Sequence, residues 1–427
     1  MIRPDAELLL KVEIEKLREI QRSFGNGISQ YTEYDKSGRV ISIVQKNAYG
    51  SVIFGEAYAY DENGRKCASI NNLGNINIFE YSKSGKLSSV YYTSNEELKE
   101  NQIQEARKNG IEIMEESSGE INIFLDSQLY EKLKKALYSV APFSCDISAT
   151  QVCLYEKFTY DENENCKSKT TGFGTIEYFY DDENRLIFSG NKVNGGVQYD
   201  YDANGNLILE ESRFARIEYT YNSLNRMKSY MKNDYISKVV SSGWYTYDAF
   251  GRRLVTGKSN GKVLRNLYDG FSFDTIKESP VWGNGLFTDN FNFSVGEENF
   301  SGRYRYISDD DGLQNYVMSE SDEDFCNLYI NGKPVARSSG SNVSYYGNDS
   351  LGSIRSVYNE YAETEHFQNY DVYGHVQGNS QIVFGYTGKA FDNATNLYNY
   401  GYRDYIPEIY RFQTTDPVRA GNNWFTY

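Results

Sequence analysis

The chain has 427 residues and a formal net charge of −15, from 44 basic and 59 acidic side chains. An acidic chain with no basic stripe is a poor fit to nucleic acid or to an anionic membrane, and no run of 18 apolar residues offers a bilayer-spanning helix. Its 40 Tyr and 23 Phe alternate with charged and polar residues, which favours strands with one face packed and one wet.

The first 25 residues are open to two readings. Leu10, Ile14 and Leu17 permit a helix, while Lys11-Val12-Glu13-Ile14-Glu15 alternates like a strand. Then a repeat begins. Tyr34-Asp35-Lys36-Ser37-Gly38-Arg39 is followed by Tyr60-Asp61-Glu62-Asn63-Gly64-Arg65 and by a degenerate Tyr81-Ser82-Lys83-Ser84-Gly85-Lys86. After a gap, the tyrosine returns at Tyr160, Tyr180, Tyr201, Tyr221 and Tyr247, and Tyr370-Asp371 closes the series. Most steps are 20, 21 or 26 residues, the signature of one supersecondary unit stacked many times. Each unit reads as two short strands around a turn. Asp opens the turn because its side chain can bond the backbone ahead of it, and Gly or Asn closes it because that position needs φ > 0. Most of the tyrosine is expected to be packing, with a stacking platform for sugars as the functional alternative.

The period breaks between residues 91 and 150. Ser94 and Glu97 have capping-box spacing; Leu98, Gln102 and Ala106 continue one helical face, and Gly110 ends it. A hairpin around Ser118-Gly119 and a second helix capped by Asp126, with Leu129, Leu133, Ala136, Leu137 and Val140 as its stripe, complete a predicted helix–hairpin–helix insert. The expected organisation is an N-terminal segment with the first repeats at 1–90, the insert at 91–155, a repeat array at 156–345 and a distinct C-terminal block at 346–427. The predicted fold is therefore mainly β with a small α/β insert.

The C-terminal block carries Leu351-Gly352-Ser353-Ile354-Arg355, then Leu397-Tyr398-Asn399-Tyr400-Gly401-Tyr402-Arg403-Asp404-Tyr405, and finally Arg411-Phe412-Gln413-Thr414-Thr415-Asp416-Pro417. In this order, and behind a Tyr-Asp array, these segments resemble the core of RHS-repeat (YD-repeat) proteins, relatives of toxin-complex C subunits and teneurins. The resemblance covers nearly the whole chain apart from the insert and the first 30 residues. It implies a ribbon of β-hairpins spiralling into a hollow shell, a core that plugs one end, and a C-terminal cargo released by aspartyl-type self-cleavage. On that resemblance the catalytic aspartate falls on Asp416 and its supporting arginine on Arg403. The second aspartate of the family lies in an Asp-x-x-Gly-Leu segment that this sequence does not reach before Tyr427. Two carboxylates sharing a proton are what such a site needs, so an incomplete and proteolytically silent site is expected.

Other chemistry is weakly supported. His366 and His375 have no metal partner at ligand spacing, and Gly172-Phe173-Gly174 lacks the rest of a phosphate loop. The acidic runs at Asp309-Asp310-Asp311 and Ser319–Asp324 lack calcium-loop order. Five scattered cysteines form no disulfide framework and are expected to be small buried hydrophobes. No cofactor and no metal are expected. The first functional reading is the shell and core of a polymorphic-toxin carrier, with its own cargo, toxin-complex components or secretion machinery as partners. The second is a surface adhesin binding glycans. The resemblance implies secretion or the cell surface, although Met1–Glu7 does not begin a signal peptide.

Overall fold

The computed structural model describes residues 10–15, 18–72, 74–93, 96–111, 121–124, 150–191, 193, 195–259, 263–268, 272–280, 325–339, 342–377, 383–419 and 423–426. The Ser118-Gly119 turn, the second helix of the insert and both acidic runs lie outside these residues.

Among the described residues of the ambiguous N-terminal segment, Leu10–Glu15 is a strand paired antiparallel with Arg18–Phe24. Among the described residues, 26 strands including these two form one sheet. Hairpin follows hairpin, as in Ser29–Tyr34 with Val40–Lys46 and Val52–Tyr60 with Lys66–Asn71. The insert interrupts the sequence period without interrupting the sheet, because Leu87–Thr93 pairs directly with the far side of the insert, Cys153 to Lys157. Within it, a helix runs Glu96–Lys108, buries Leu98, Gln102 and Ala106, and stops where Gly110 turns to φ 73°. The strand Ile121–Phe124 pairs with Thr150–Cys153.

The unit has a fixed turn chemistry. At the first repeat Asp35 N–H donates to Arg39 O at 2.9 Å, and Gly38 N–H donates back to Asp35 O at 3.0 Å. The Asp35 carboxylate accepts the Arg39 N–H on one oxygen and the Arg39 Nε on the other. Gly38, Gly64, Gly205 and Gly251 sit at φ 87°, 80°, 80° and 77°, and Asn184 and Asn225 take the same place at 61° and 56°. That left-handed residue closes the type I turn and sets a bulge, so the register slips by one just before each repeat tyrosine.

The tyrosine joins one unit to the one before it. Tyr60 Oη donates to Val40 O at 2.6 Å, Tyr180 to Cys166 O at 2.8 Å, Tyr221 to Leu207 O at 2.7 Å and Tyr247 to Met227 O at 2.7 Å. Each accepting carbonyl belongs to the first or second residue after an earlier turn. The arginine that closes a turn lies over the next unit's tyrosine: Arg39 over Tyr60 and Arg65 over Tyr81, both at 4.5 Å, and Arg252 over Tyr268 at 4.7 Å. The unit is thus a two-way joint, a phenol reaching back and a guanidinium reaching forward.

Two residues before several of the joint tyrosines stands a second tyrosine, and the joint tyrosines Tyr180, Tyr201, Tyr221 and Tyr247 pack against the same core. Tyr178, Tyr199, Tyr219 and Tyr245 are all buried, and they form one core with Leu397, Ile406, Ile409 and Tyr410 of the C-terminal block. The ribbon also returns onto its beginning. Arg22 Nη1 donates to Asn348 Oδ1 at 2.7 Å, Arg355 pairs with Glu56 at 3.1 Å, and Ser356 Oγ donates to Gln45 Oε1 at 2.7 Å. Phe24 and Ile28 share a core with Ala336, Tyr345 and Tyr358. Of the cysteines, Cys166 is buried as expected, whereas Cys67 is half-buried and Cys326 exposed.

Candidate functional site

The block after residue 384 is built on four short strands, Ala390–Asp392, Leu397–Asn399, Asp404–Ile406 and Arg411–Phe412. Tyr386, Tyr398, Tyr405 and Phe412 pack together between them. Tyr398 and Tyr405 are fully buried, and their hydroxyls donate to the carbonyls of Gly374 and Tyr373, both at 2.9 Å. Two buried carboxylates then fasten this block to the repeat strand Arg253–Lys258. Arg253 Nη2 forks onto both oxygens of Asp404 at 2.8 and 2.9 Å, and Lys258 pairs with Asp392 at 3.1 Å. Tyr245 Oη donates to the other Asp392 oxygen at 2.5 Å. Burial raises the Asp404 carboxyl above its ordinary value and Arg253 opposes the rise. For Asp392 the order of outcome reverses: burial raises it, but Lys258, the Tyr245 hydroxyl and Arg253 together bring it below the usual value.

Asp416 and Arg403, the residues singled out from sequence, come together through one carbonyl. Arg403 Nη1 donates to Trp424 O at 3.2 Å, and Asp416 N–H donates to the same Trp424 O at 2.8 Å. The two side chains form no ion pair within 4 Å. Arg403 lies instead over the Phe412 ring at 3.7 Å, and burial lowers its proton affinity while the charge on Asp416 partly restores it. The Asp416 carboxylate is engaged in a turn: one oxygen accepts the Val418 N–H at 2.9 Å, and the Asp416 carbonyl accepts Arg419 N–H at 3.0 Å. This is the same aspartate-led turn chemistry that the repeats use. As it stands the arrangement holds one carboxylate in a structural role beside a half-buried cation.

Several residues matter here that sequence reasoning passed over. Arg411, 3% exposed, donates from Nη1 to Asn165 Oδ1 at 2.8 Å and from Nη2 to Asn184 O. Its guanidinium lies 4.9 Å from the Tyr180 ring and 5.1 Å from the Phe425 ring. Gln413 O accepts the Leu207 N–H at 3.0 Å, and Asn423 Nδ2 reaches Asn163 O at 3.2 Å. A signal existed: position five after each repeat tyrosine is Arg or Lys in most units but Asn at 165 and 206. No group of three or more His, Cys, Asp or Glu is placed to hold a metal among the described residues. Among the same residues no helix is long and apolar enough to cross a membrane.

Residues 138–272 match the teneurin YD-shell family. The Tc holotoxin pore of Photorhabdus luminescens, carrying a mutation in TccC3, superposes on 98% of this chain with TM-score 0.65 at 16% identity, over 18% of its own chain. A complex of TcdB2, TccC3 and Cdc42 aligns over 98% of this chain and 21% of its own, at 15% identity and TM-score 0.42. The chain therefore spans less than a fifth of the first of these structures. A search of curated proteins returns no match. Residues 138–272 are thus similar to a teneurin YD-shell, and the ribbon as a whole has a fold similar to part of the Tc holotoxin structure.

Proposed function

We propose that the chain is a wall section and closing segment of an encapsulating shell of the toxin-complex type, acting with toxin-complex components and a C-terminal cargo as partners, in a secreted or surface setting. The observation that carries this is the position of the C-terminal block. Its Leu397, Ile406, Ile409 and Tyr410 rest on the buried aromatic row of the ribbon, so the chain's end is directed onto the inner core. Self-cleavage is the finer part of the proposal. Asp416 and Arg403 share the Trp424 carbonyl, and a second carboxylate arriving on a following segment would complete the acid–base pair. The adhesin reading draws less from the structure, because the repeat tyrosines are turned to backbone carbonyls and not to solvent.

The test extends the full chain with a family-type Asp-x-x-Gly-Leu tail followed by an unfolded, protease-sensitive reporter. Encapsulation is supported if the reporter survives a protease dose that destroys it when free. Prompt digestion of the attached reporter overturns it and leaves the adhesin reading ahead. Cleavage just beyond the leucine, lost in Asp416→Asn and in Arg403→Ala, supports the proteolytic part. An extended chain that stays uncut, or that is cut equally in both variants, removes that part alone.

A further inference from the structure

We infer that the fifth position after each repeat tyrosine is a selector, and that asparagine there, at Asn165 and Asn206, is the address at which the C-terminal segment docks. In an ordinary unit this position closes the joint from within. Arg185, for example, holds Asp181 at 2.6 Å through Nε and lies over the next tyrosine, Tyr201, at 5.9 Å. Arg39, Arg65 and Arg252 do the same in their units.

At residue 165 the side chain is too short to reach the next tyrosine. Asn165 Nδ2 still donates to its own Asp161 at 2.9 Å, and to Asn184 Oδ1 at 2.9 Å. Its buried amide oxygen accepts Arg411 Nη1 at 2.8 Å and Asn423 Nδ2 at 2.5 Å, both from the C-terminal segment. The guanidinium over Tyr180 is then that of Arg411, from a segment distant in sequence. Asn165 works as an adaptor, passing the hold of Asp161 on to a cation from outside the unit.

Two units later the pattern recurs. Asn206 Nδ2 donates to Asp202 Oδ2 at 2.8 Å and to Asn225 Oδ1 at 2.9 Å. The space an arginine would need is taken by the same C-terminal segment. A Cβ on Gly205 would lie 2.8 Å from Thr415 Cγ2 and 3.6 Å from the Phe425 ring, and Leu207 N–H is bonded to Gln413 O. Tyr201 meets Phe425 edge to face at 5.8 Å. The Gln413 amide, 1% exposed, has neither its oxygen nor its nitrogen paired, and the Asn206 amide oxygen is likewise unpaired. Both therefore have donors or acceptors left for a neighbour at this seat. Arg185, in the intervening unit, retains its own joint. The two asparagines thus fall where the segment crosses the ribbon, and this holds whether or not the shell encloses a cargo.

The inference makes Arg411 a positioning residue for the segment that bears Asp416. An arginine at 165 would put two guanidinium groups on one tyrosine and expel the segment. Hydrogen exchange on the full chain measures this directly, because the Leu207 amide is held by Gln413 O while the Asp202 amide, in the same unit, is held within the turn by Asn206 O. Asn165→Arg and Arg411→Gln should each speed exchange at Leu207 by about tenfold or more, with Asp202 unchanged. The double variant Asn165→Arg, Arg411→Asn keeps one guanidinium at Tyr180 and should recover part of the Leu207 protection. Arg185→Asn should leave Leu207 alone. Unchanged protection in Asn165→Arg overturns the inference. So does equal loss in Arg185→Asn, or loss at both amides in Arg411→Gln, which would mark Arg411 as a general stability residue.

Discussion

The repeats at Tyr34, Tyr60 and Tyr81 and those at Tyr160, Tyr201 and Tyr221 use the same turn but spend its fifth position differently. In the first group Arg39 and Arg65 stay within the ribbon, bonded to their own aspartate and stacked on the next tyrosine. In the second group Asn165 and Asn206 yield their place to the C-terminal segment, and Arg226 leaves the ribbon to lie over Tyr402 at 4.4 Å. Both groups propagate the sheet, but the second also receives the C-terminal block. A repeat protein is stabilised by intrinsic unit terms and neighbour terms, so a departure from the consensus joint costs stability unless something else satisfies it. Here the something else is the C-terminal block, and the comparison can be broken by mutations that act on one group only.

The largest effect should come from the deepest clamp. Asp404→Ala leaves Arg253, 10% exposed, without its carboxylate, and breaking such a buried pair costs about 3–5 kcal/mol. Asp35→Ala in the first group also breaks an ion pair, but Arg39 is 35% exposed, and pairs of that kind contribute about 1 kcal/mol or less beyond the turn bonds they accompany. Denaturant titration of the two variants should therefore rank them clearly. Equal losses would mean that the C-terminal block contributes no more to stability than a surface turn.

A smaller effect separates two glycines with nearly the same backbone. Gly50 and Gly205 stand at φ 81° and 80°, so valine at either should cost about 1–3 kcal/mol in strain. A Cβ on Gly50 meets nothing within 4 Å, while one on Gly205 meets Thr415. Gly205→Val should therefore also release the Leu207 amide from Gln413, and Gly50→Val should not. If both variants leave Leu207 equally protected, the second group is not a docking surface.

Smaller still is the loss of one hydroxyl. Tyr60→Phe and Tyr180→Phe each remove a donor to a backbone carbonyl, about 0.5–1.5 kcal/mol, while leaving the ring for its guanidinium. The two should cost the same and neither should loosen the C-terminal segment, because the cation needs only the ring face. A larger loss in Tyr180→Phe would show that the hydroxyl also holds Arg411.

Much of this was legible in the chain. The Tyr-Asp period and its Gly or Asn at the turn end carry the hairpins, because a left-handed position is a local demand that only a few residues meet without strain. The helix Glu96–Lys108 was marked by its capping spacing and by Gly110. Less legible was the N-terminus, where Leu10, Ile14 and Leu17 fit a helix until the neighbouring strand Arg18–Phe24 supplied a partner. The site was harder again. Asp416 and Arg403 were found through resemblance, yet their meeting at the Trp424 carbonyl depends on a chain path that no motif records. Asn165 and Asn206 were visible as departures from Arg, but a departure has no meaning until the segment that fills it is in place.

The smallest expected effect tests whether the insert helix belongs with the C-terminal block or with the ribbon. Lys108, in the last turn of the helix Glu96–Lys108, pairs with Glu408 of the C-terminal block. Lys108 holds the Glu408 carboxyl down to about 2, against the opposing effect of burial. A carboxyl whose pKa is depressed on folding stabilises the fold above its unfolded value, near 4.5, and that contribution disappears as pH falls toward about 2. For Lys108 burial lowers proton affinity, but Glu408 and Glu210 outweigh it and raise the group above its ordinary 10.5. Its contribution is therefore complete below 10.5 and is lost as pH rises beyond that. The helix should be held on a plateau between these limits and loosen at both ends. The pair is partly exposed, 34% at Lys108 and 24% at Glu408, so solvent screening keeps the effect near about 1 kcal/mol or less. Hydrogen exchange at the Asn109 amide, which is bonded to Glu105 O and Ala106 O, reads it locally once intrinsic rates are divided out. Protection there should fall between pH 4.5 and 2 in the parent chain and show no such step in Glu408→Gln. A step that persists in Glu408→Gln would assign the acid sensitivity to other carboxylates of the ribbon, and the helix would then be seated by Lys169 and Glu105 on the repeat side instead.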